Sequence, residues 1–442
     1  MQLTSEQVLA LAPDASSAAA GKKLGAAKSW RNLGRSGRAL WGECQGSALY
    51  QVRVDLSDLS AKCSCPSRKF PCKHALGLML VAAGEPQALA EAAEPEWVGE
   101  WLGRRAASAT KKESREERSA AEPDPQAREE RAAKRLERMT KGIEGLERWM
   151  EDLVRNGLAG LESERPAFWE TQAARLVDAQ APGFAGRVRR LAGLPGSRPD
   201  WPAVLLAELG RLALATQAFR RLEQLDGPLQ EEVRRLTGLT LKEEEVIAQG
   251  ESVTDRWAVL GQTVEDDEKV RAQRTWLLGE TTGRAALVLQ FAAGDGPFPS
   301  LFVPGTRFEA DLAFWPGSWP LRALVRERRG TAEPLQSLPA VPGTDSIASF
   351  LDATAETLAR QPWLDRLPCV LCEVVPATDG GKTWWLQDRD HRRLPLGPGH
   401  HWQLLAVSGG HPVDLAGEWD GEAVLPFGAI AQRCYQLVRS LR

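Results

Sequence analysis

The chain has 442 residues, 43% of them apolar and 26% charged, with a net charge of −3, seven cysteines and five histidines. Such a length suits two to four domains and such an apolar share can build their cores; no apolar run reaches the length of a membrane span, and Met1-Gln-Leu-Thr-Ser-Glu6 lacks the charged start and apolar stretch of a secretory signal. Three of the seven cysteines and one of the five histidines crowd into one motif and no disulfide framework is left, so a reducing cytoplasm is the expected compartment. Charge is uneven: residues 1–80 carry eleven Lys or Arg against five Asp or Glu, a local +6 that leaves −9 for the remainder. A basic end on an acidic body suggests an anionic partner.

Ser5 to Leu11 reads as a short helix. Trp41-Gly-Glu-Cys-Gln-Gly46 and Tyr50-Gln-Val-Arg-Val-Asp55 read as two strands, the second alternating apolar and polar. Cys63-Ser-Cys65 follows, then six residues, then Cys72-Lys-His74. Three thiols and an imidazole make a full four-ligand set for zinc, which takes Cys and His in a closed tetrahedron at structural sites. Cys63 and Cys65, two apart on a strand end, can aim both sulfurs one way, and Pro66 favours a bend behind them. Pro71 disfavours helix at Phe70, so a helix starts only around Cys72. Cys72 and His74 diverge inside a helix but converge when they straddle its start. Ala75-Leu-Gly-Leu-Met-Leu-Val-Ala-Ala83 then reads as that helix, with Leu76, Met79, Leu80 and Ala83 on one face and Gly84 as its stop. From the residues alone, four unlinked side chains or a redox pair at Cys63 and Cys65 are the alternatives. Unliganded thiols at this density would be a liability, and a histidine as fourth ligand argues against an iron–sulfur cluster.

The order strand, strand, metal knuckle, helix resembles the SWIM zinc finger, a C-x-C, variable gap, C-x-H pattern on a ββα frame. The run from Cys63 to Leu76, with Trp41 to Ser47, is similar to the finger of bacterial SWIM-family proteins in particular. That resemblance implies that Cys63, Cys65, Cys72 and His74 hold one structural zinc ion. It also implies nucleic acid or protein as partner, and for bacterial relatives a place beside AAA-type ATPases.

Residues 1–84 are thus expected to form the finger unit. A short helical piece bearing Trp97 and Trp101 follows, and residues 85–126 as a whole read as this helix plus a charged, flexible linker with little to bury. Beyond it, Leu136, Met139, Ile143, Leu146, Met150 and Leu153 recur at alternating spacings of three and four. This is the seam of a coiled coil or the inner face of a bundle helix, and Gly142, Gly145 and Gly157 favour the bundle. Phe168, Leu176 and Val177 mark a further helix, Phe184, Val188 and Leu191 another behind Pro182, and Asp200-Trp-Pro202 opens a long one. Residues 127–250 therefore read as a helical bundle. Ala174-Arg-Leu-Val-Asp-Ala-Gln-Ala-Pro-Gly183 also resembles the bacterial SWIM-family body.

From Thr254 the pattern turns to strands, interrupted by a helix from Ser346 to Arg360, so residues 254–442 read as a β-rich region. Trp276, Arg284 and Leu287 share their spacing with Trp385, Arg393 and Leu396, a weak sign that 254–330 and 367–428 repeat each other; chance and duplication both remain open. The fold class is α+β and multidomain: a small ββα zinc finger, a helical bundle and a predominantly β C-terminal region.

Other candidate sites carry less. Cys369-Val-Leu-Cys372 lies in a strand, where residues three apart face opposite ways, and reads as core cysteines. His391, His400, His401 and His411 match no finger spacing. Cys44 reads as packed beside the metal, and Cys434 as buried in a terminal helix. Trp315, Trp319, Trp384 and Trp402 are candidates for a stacking platform, against ordinary core packing. Phosphate-cradling Gly loops, G-x-S-x-G elbows and H-E-x-x-H helices are missing, and a closed zinc leaves no position for water, so the chain is expected not to be an enzyme. Arg31, Arg35, Arg38, Arg68, Lys69 and Lys73 are the expected phosphate contacts and Phe70 an apolar or stacking one, if the finger binds nucleic acid, DNA first. A protein-interaction adaptor without nucleic-acid contact is the alternative, and no small-molecule substrate is indicated.

Overall fold

The computed structural model describes residues 3–438 except 68, 106–124, 268–269, 295, 297, 340 and 342–344. The architecture is mixed α and β: an N-terminal sheet with its helices, a helical bundle, and two C-terminal sheets. Among the described residues no helix is long and apolar enough to cross a membrane.

Strands β1 (Trp30–Arg35), β2 (Ala39–Gln45), β3 (Leu49–Asp55), β4 (Ala61–Cys63) and β5 (Ala90–Glu91) form the first sheet, in the order β4-β3-β2-β1-β5. Alternation puts Leu40, Cys44, Val52 and Val54 on its inner face, buried against the helix Lys73–Gly84. That helix is apolar almost all round because it is covered on both sides, by the sheet and by the short helices Ser5–Ala10 and Ala15–Lys23. Gly77 allows the approach: a Cβ there would lie 2.7 Å from the Leu24 Cβ. The short helices start where the side chains of Thr4 and Asp14 accept from the main-chain N–H three residues on.

The packed unit does not stop at Gly84. β5 pairs in parallel with β1, and the helical residues 96–105 lay Val98, Trp101 and Leu102 on Ala39 and Trp41 of the outer face. The segment expected to lead into a linker is therefore part of the finger unit as far as Arg105, because Ala39 and Trp41 of the sheet and Val98, Trp101 and Leu102 of the helix bury apolar area against one another. The charged stretch 106–124 lies outside the described residues.

The helices Pro125–Asn156, Pro166–Asp178, Pro182–Leu191, Trp201–Arg220 and Gly227–Thr237 enclose one core, followed by the short helix Glu243–Gln249. Met139, Ile143, Leu146, Met150 and Leu153 all face this core, while Leu136 at the start of the same seam is exposed. Gly142 marks a close crossing, where an added Cβ would sit 2.3 Å from that of Ala179. Trp363, far along the chain, inserts into the bundle core, and its indole N–H donates to the Arg211 carbonyl at 3.1 Å.

The second sheet comprises β6 (Glu251–Asp267), β7 (Val270–Gly279), β8 (Ala285–Ala293), β9 (Thr306–Phe314) and β10 (Ala323–Pro334), ordered β10-β9-β6-β7-β8. After the helix Ile347–Arg360, the third comprises β11 (Leu367–Thr378), β12 (Trp384–Gln387), β13 (Arg393–Pro395), β14 (Val413–Trp419), β15 (Val424–Ala431) and β16 (Cys434–Leu437), ordered β13-β12-β11-β14-β15-β16. A helix, Trp402–Ser408, lies between β13 and β14. Cys434 is thus exposed in a strand, not buried in a terminal helix. Gln432 and Arg433 both take positive φ, 52° and 57°, and turn the chain back on β15 without the Asn or Gly that usually announces such a hairpin.

Candidate metal centre and the cationic cleft beside it

Cys63 ends β4, opposite Val52 on the inner face. The Cys65 N–H then points back to the Cys63 sulfur at 3.4 Å, so the bend that Pro66 favours brings the second thiol beside the first. Cys72 is the N-cap of the finger helix, with extended backbone, and His74 lies in its first turn. The four ligand atoms all fall within 4.8 Å of one another, and the Cys63 sulfur is 3.7 Å from His74 Nδ1. Tetrahedral zinc with bonds of about 2.3 Å to sulfur needs ligand atoms about 3.8 Å apart. The donor set and its spacing therefore fit one zinc ion. Cys72 and His74 are buried, and the His74 ring lies 4.9 Å from that of Tyr50. A hydrogen bond from Cys63 holds the Cys72 thiol down to about 4 against its burial, with His74 and the Ala75 N–H adding to the effect; the same bond pushes the Cys63 thiol up. Cys44 is buried beside the site, its thiol pushed up by that burial. Among the described residues no other cluster of three His, Cys, Asp or Glu is placed to hold a metal. This includes Cys369, His391, His400, His401 and His411; Cys369 is fully buried, and burial pushes its thiol up.

The expected partner-binding side chains scatter. Arg31 and Arg35 are exposed on β1 and Lys73 on the finger helix, while Phe70 is half-buried against the finger core. Three of the cations meet acids: Arg35 with Glu91 at 4.0 Å, Arg38 with Asp55 at 3.7 Å and Lys69 with Asp14 at 2.7 Å. The Lys69 ammonium, followed by the Ser17 N–H, holds the Asp14 carboxyl down to about 2. Arg68 lies outside the described residues.

A denser cationic group appears elsewhere. Register aligns Gly34, Trp41, Arg53 and Lys62 in one row across the outer face of the sheet. Trp41 takes the helix at 96–105, and what remains open is a cleft of about 270 Å³ lined by Arg53, Lys62, Trp101, Arg104 and Arg105. The Arg53 guanidinium lies 5.1 Å from the Trp97 ring and 5.8 Å from that of Trp101, and Arg105 lies 5.4 Å from Trp101. Burial, then the charge of Arg104, pushes Arg53 below the usual guanidinium range. Its Nε is buried with no hydrogen-bond partner among the described residues. Arg104 pairs with Glu100, and Arg105 with Asp55 and Asp58; Lys62 has no ion pair among the described residues. The sequence reading missed this group. Its one available signal was that Arg53 and Lys62 fall at polar positions of strands flanking the knuckle while Trp97 and Trp101 share a helix face.

The stacking platform weighed against core packing does not form. Trp315 is buried beneath Arg322, Trp319 lies beside Arg360, and only Trp384 and Trp402 meet, edge to face at 4.8 Å.

Residues 50–83 match the family model of the SWIM zinc finger, and residues 134–237 match that of the SWIM-associated four-helix bundle domain. The chain thus carries a SWIM finger whose Cys63, Cys65, Cys72 and His74 form a three-cysteine, one-histidine cluster able to bind one zinc ion. No curated protein and no solved structure matches the chain.

Proposed function

We propose that this chain is a non-catalytic, zinc-folded interaction protein whose finger grips the phosphate backbone of nucleic acid, duplex DNA in the first instance. The observation that carries this reading is the cleft of Arg53, Lys62, Arg104 and Arg105 around Trp101. Four cations crowd there, Arg53 has an unbonded N–H, and Lys62 is without an ion pair among the described residues. Like charges held together cost free energy that an anion relieves, and phosphate oxygens both accept hydrogen bonds and carry charge. The zinc supports the site from behind. It joins β4, which bears Lys62, to the helix beneath the sheet, and four protein ligands leave the metal no open position for chemistry.

Labelled duplex DNA and the full chain at low salt test the reading. Binding should be present and should weaken in Arg53→Gln/Lys62→Gln with zinc content unchanged. An absence of binding at low salt sinks the nucleic-acid reading. It would turn attention to a protein adaptor, with AAA-type ATPases as the first partners to try.

A further inference from the structure

The two C-terminal sheets repeat one wiring scheme. In each, the first strand pairs with the second and the fourth, the second with the third, and the fourth with the fifth: β6 to β10 in one, β11 to β15 in the other. A single parallel bridge then joins third strand to fifth, Leu287 to Arg322 and Leu396 to Val424. Main-chain N–H groups back it at Leu287, donating to Leu321 at 2.7 Å, and at Gly397, donating to Val424 at 2.8 Å. Five strands paired in this order and closed by a parallel third–fifth contact have the connectivity of the oligonucleotide/oligosaccharide-binding barrel, which takes ligands across its second and third strands.

Register shows which residues occupy that face. Leu277 opposite Ala286, and Leu386 opposite Leu394, point into their barrels. Their neighbours Trp276 opposite Leu287, and Trp385 opposite Pro395, point outward, so the two tryptophans hold equivalent positions. In the first barrel the face is filled by the second. Trp276 is fully buried with Leu260 against Val370, Ala416 and Phe427, and its indole N–H donates to Glu418 at 2.7 Å. In the second barrel the same face is open. Arg393 and Pro395 are exposed, Trp385 and Gln387 half-buried. The Arg393 guanidinium lies 4.6 Å from the Trp385 ring, whose Nε1 has no hydrogen-bond partner among the described residues. Arg389 and Arg392 project from the turn of the same hairpin, exposed, and among the described residues none of the three arginines pairs with a carboxylate. Asp388 in that turn is buried and engaged with the main-chain N–H groups of Ile347, Asp390 and Arg392; Asp390 is its exposed acid.

We propose that the outer face of β12 and β13 is a second nucleic-acid site, independent of zinc, which takes a single strand with a base stacked on Trp385 and phosphates on Arg389, Arg392 and Arg393. A single strand offers the base faces that a duplex hides, and an aromatic ring with Arg393 against it, and Arg389 and Arg392 exposed on the same hairpin, matches base and backbone together. The first barrel shows that this face is built to be covered. The charge of the second says by what.

A labelled oligothymidylate of about 15 nucleotides, long enough for one such barrel, tests this on the full chain by fluorescence anisotropy. Trp385→Ala should weaken its binding about tenfold, Arg393→Gln should weaken it less, and Trp385→Phe should keep most of it, all with duplex affinity unchanged. Arg53→Gln/Lys62→Gln should show the opposite pattern. Wild-type single-strand affinity in Trp385→Ala and Arg393→Gln overturns the proposal while leaving the finger reading intact. So does an absence of single-strand binding by the unaltered chain. If Trp385→Ala instead abolishes self-association in sedimentation, with single-strand affinity unchanged, the face is a contact between copies and the proposal also fails.

Discussion

Replacing Arg53 and Lys62 by glutamine should flatten the salt dependence of duplex binding. Each phosphate neutralised by a cation adds about −0.9 to the slope of log affinity against log salt. With four cleft cations engaged the slope is about −3.6, and raising salt from about 50 to about 200 mM costs about 150-fold in affinity. With two removed it is about −1.8, and the same change costs only about twelvefold. The structure says which two matter most. Arg104 and Arg105 already hold Glu100, Asp55 and Asp58, and must exchange those partners for phosphate, whereas Arg53 and Lys62 hold no carboxylate among the described residues. Their loss should therefore remove at least half the slope. Anisotropy titrations of a labelled duplex at several salt concentrations read it directly, with zinc content and circular dichroism as checks on folding. An unchanged slope in a folded, zinc-loaded variant would refute the assignment of the cleft.

Chelating zinc should lower the thermal midpoint of the unit spanning residues 3–105, because the knuckle ties β4 to the finger helix; a midpoint indifferent to chelator would count against a structural metal. Gly142→Ala should destabilise the bundle despite alanine's better helix propensity, since its Cβ would lie 2.3 Å from that of Ala179. Gly145→Ala, in open space three residues on, should stabilise it by about 0.5–1 kcal/mol, and thermal melts of the pair separate packing from propensity. Asp255 is buried, which opposes its charge, yet hydrogen bonds from the Thr282 hydroxyl and N–H, the Thr281 N–H and the Arg256 N–H hold its carboxyl below the ordinary value. Asp255→Ala should cost about 1–3 kcal/mol near neutral pH. A depressed carboxyl stabilises the fold above its unfolded value of about 4, and that contribution is lost as pH falls through the lower folded value, so the gap in urea midpoints between variant and parent should close below about pH 4. A gap that persisted there would show that the charge is not what matters.

The metal ligands were legible because everything that positions them is local: two residues on a strand end, two at a helix start, and Pro66 and Pro71 to bend and stop the chain between. The seam from Met139 to Leu153 was legible for a like reason, since a helix carries its own period. The cleft was not. Its four cations come from two strands and from a helix some forty residues later, and charge in a sequence does not say which cations find acids. Arg35, Arg38 and Lys69 looked as free as Arg53 and Lys62 until the fold set Glu91, Asp55 and Asp14 beside them. The spacing shared by Trp276 and Trp385 hinted at two related β modules. Strand pairing set Leu287 opposite Trp276 and Pro395 opposite Trp385, and the fold decided that one tryptophan is buried against Glu418 while the other lies open under Arg393. Local bonding and periodicity are written residue by residue, so the sequence by itself determined the zinc knuckle and the helical faces. Which polar side chains are neutralised, and which faces are covered, depends on contacts between residues from under twenty to more than a hundred positions apart, and only the tertiary structure decided those.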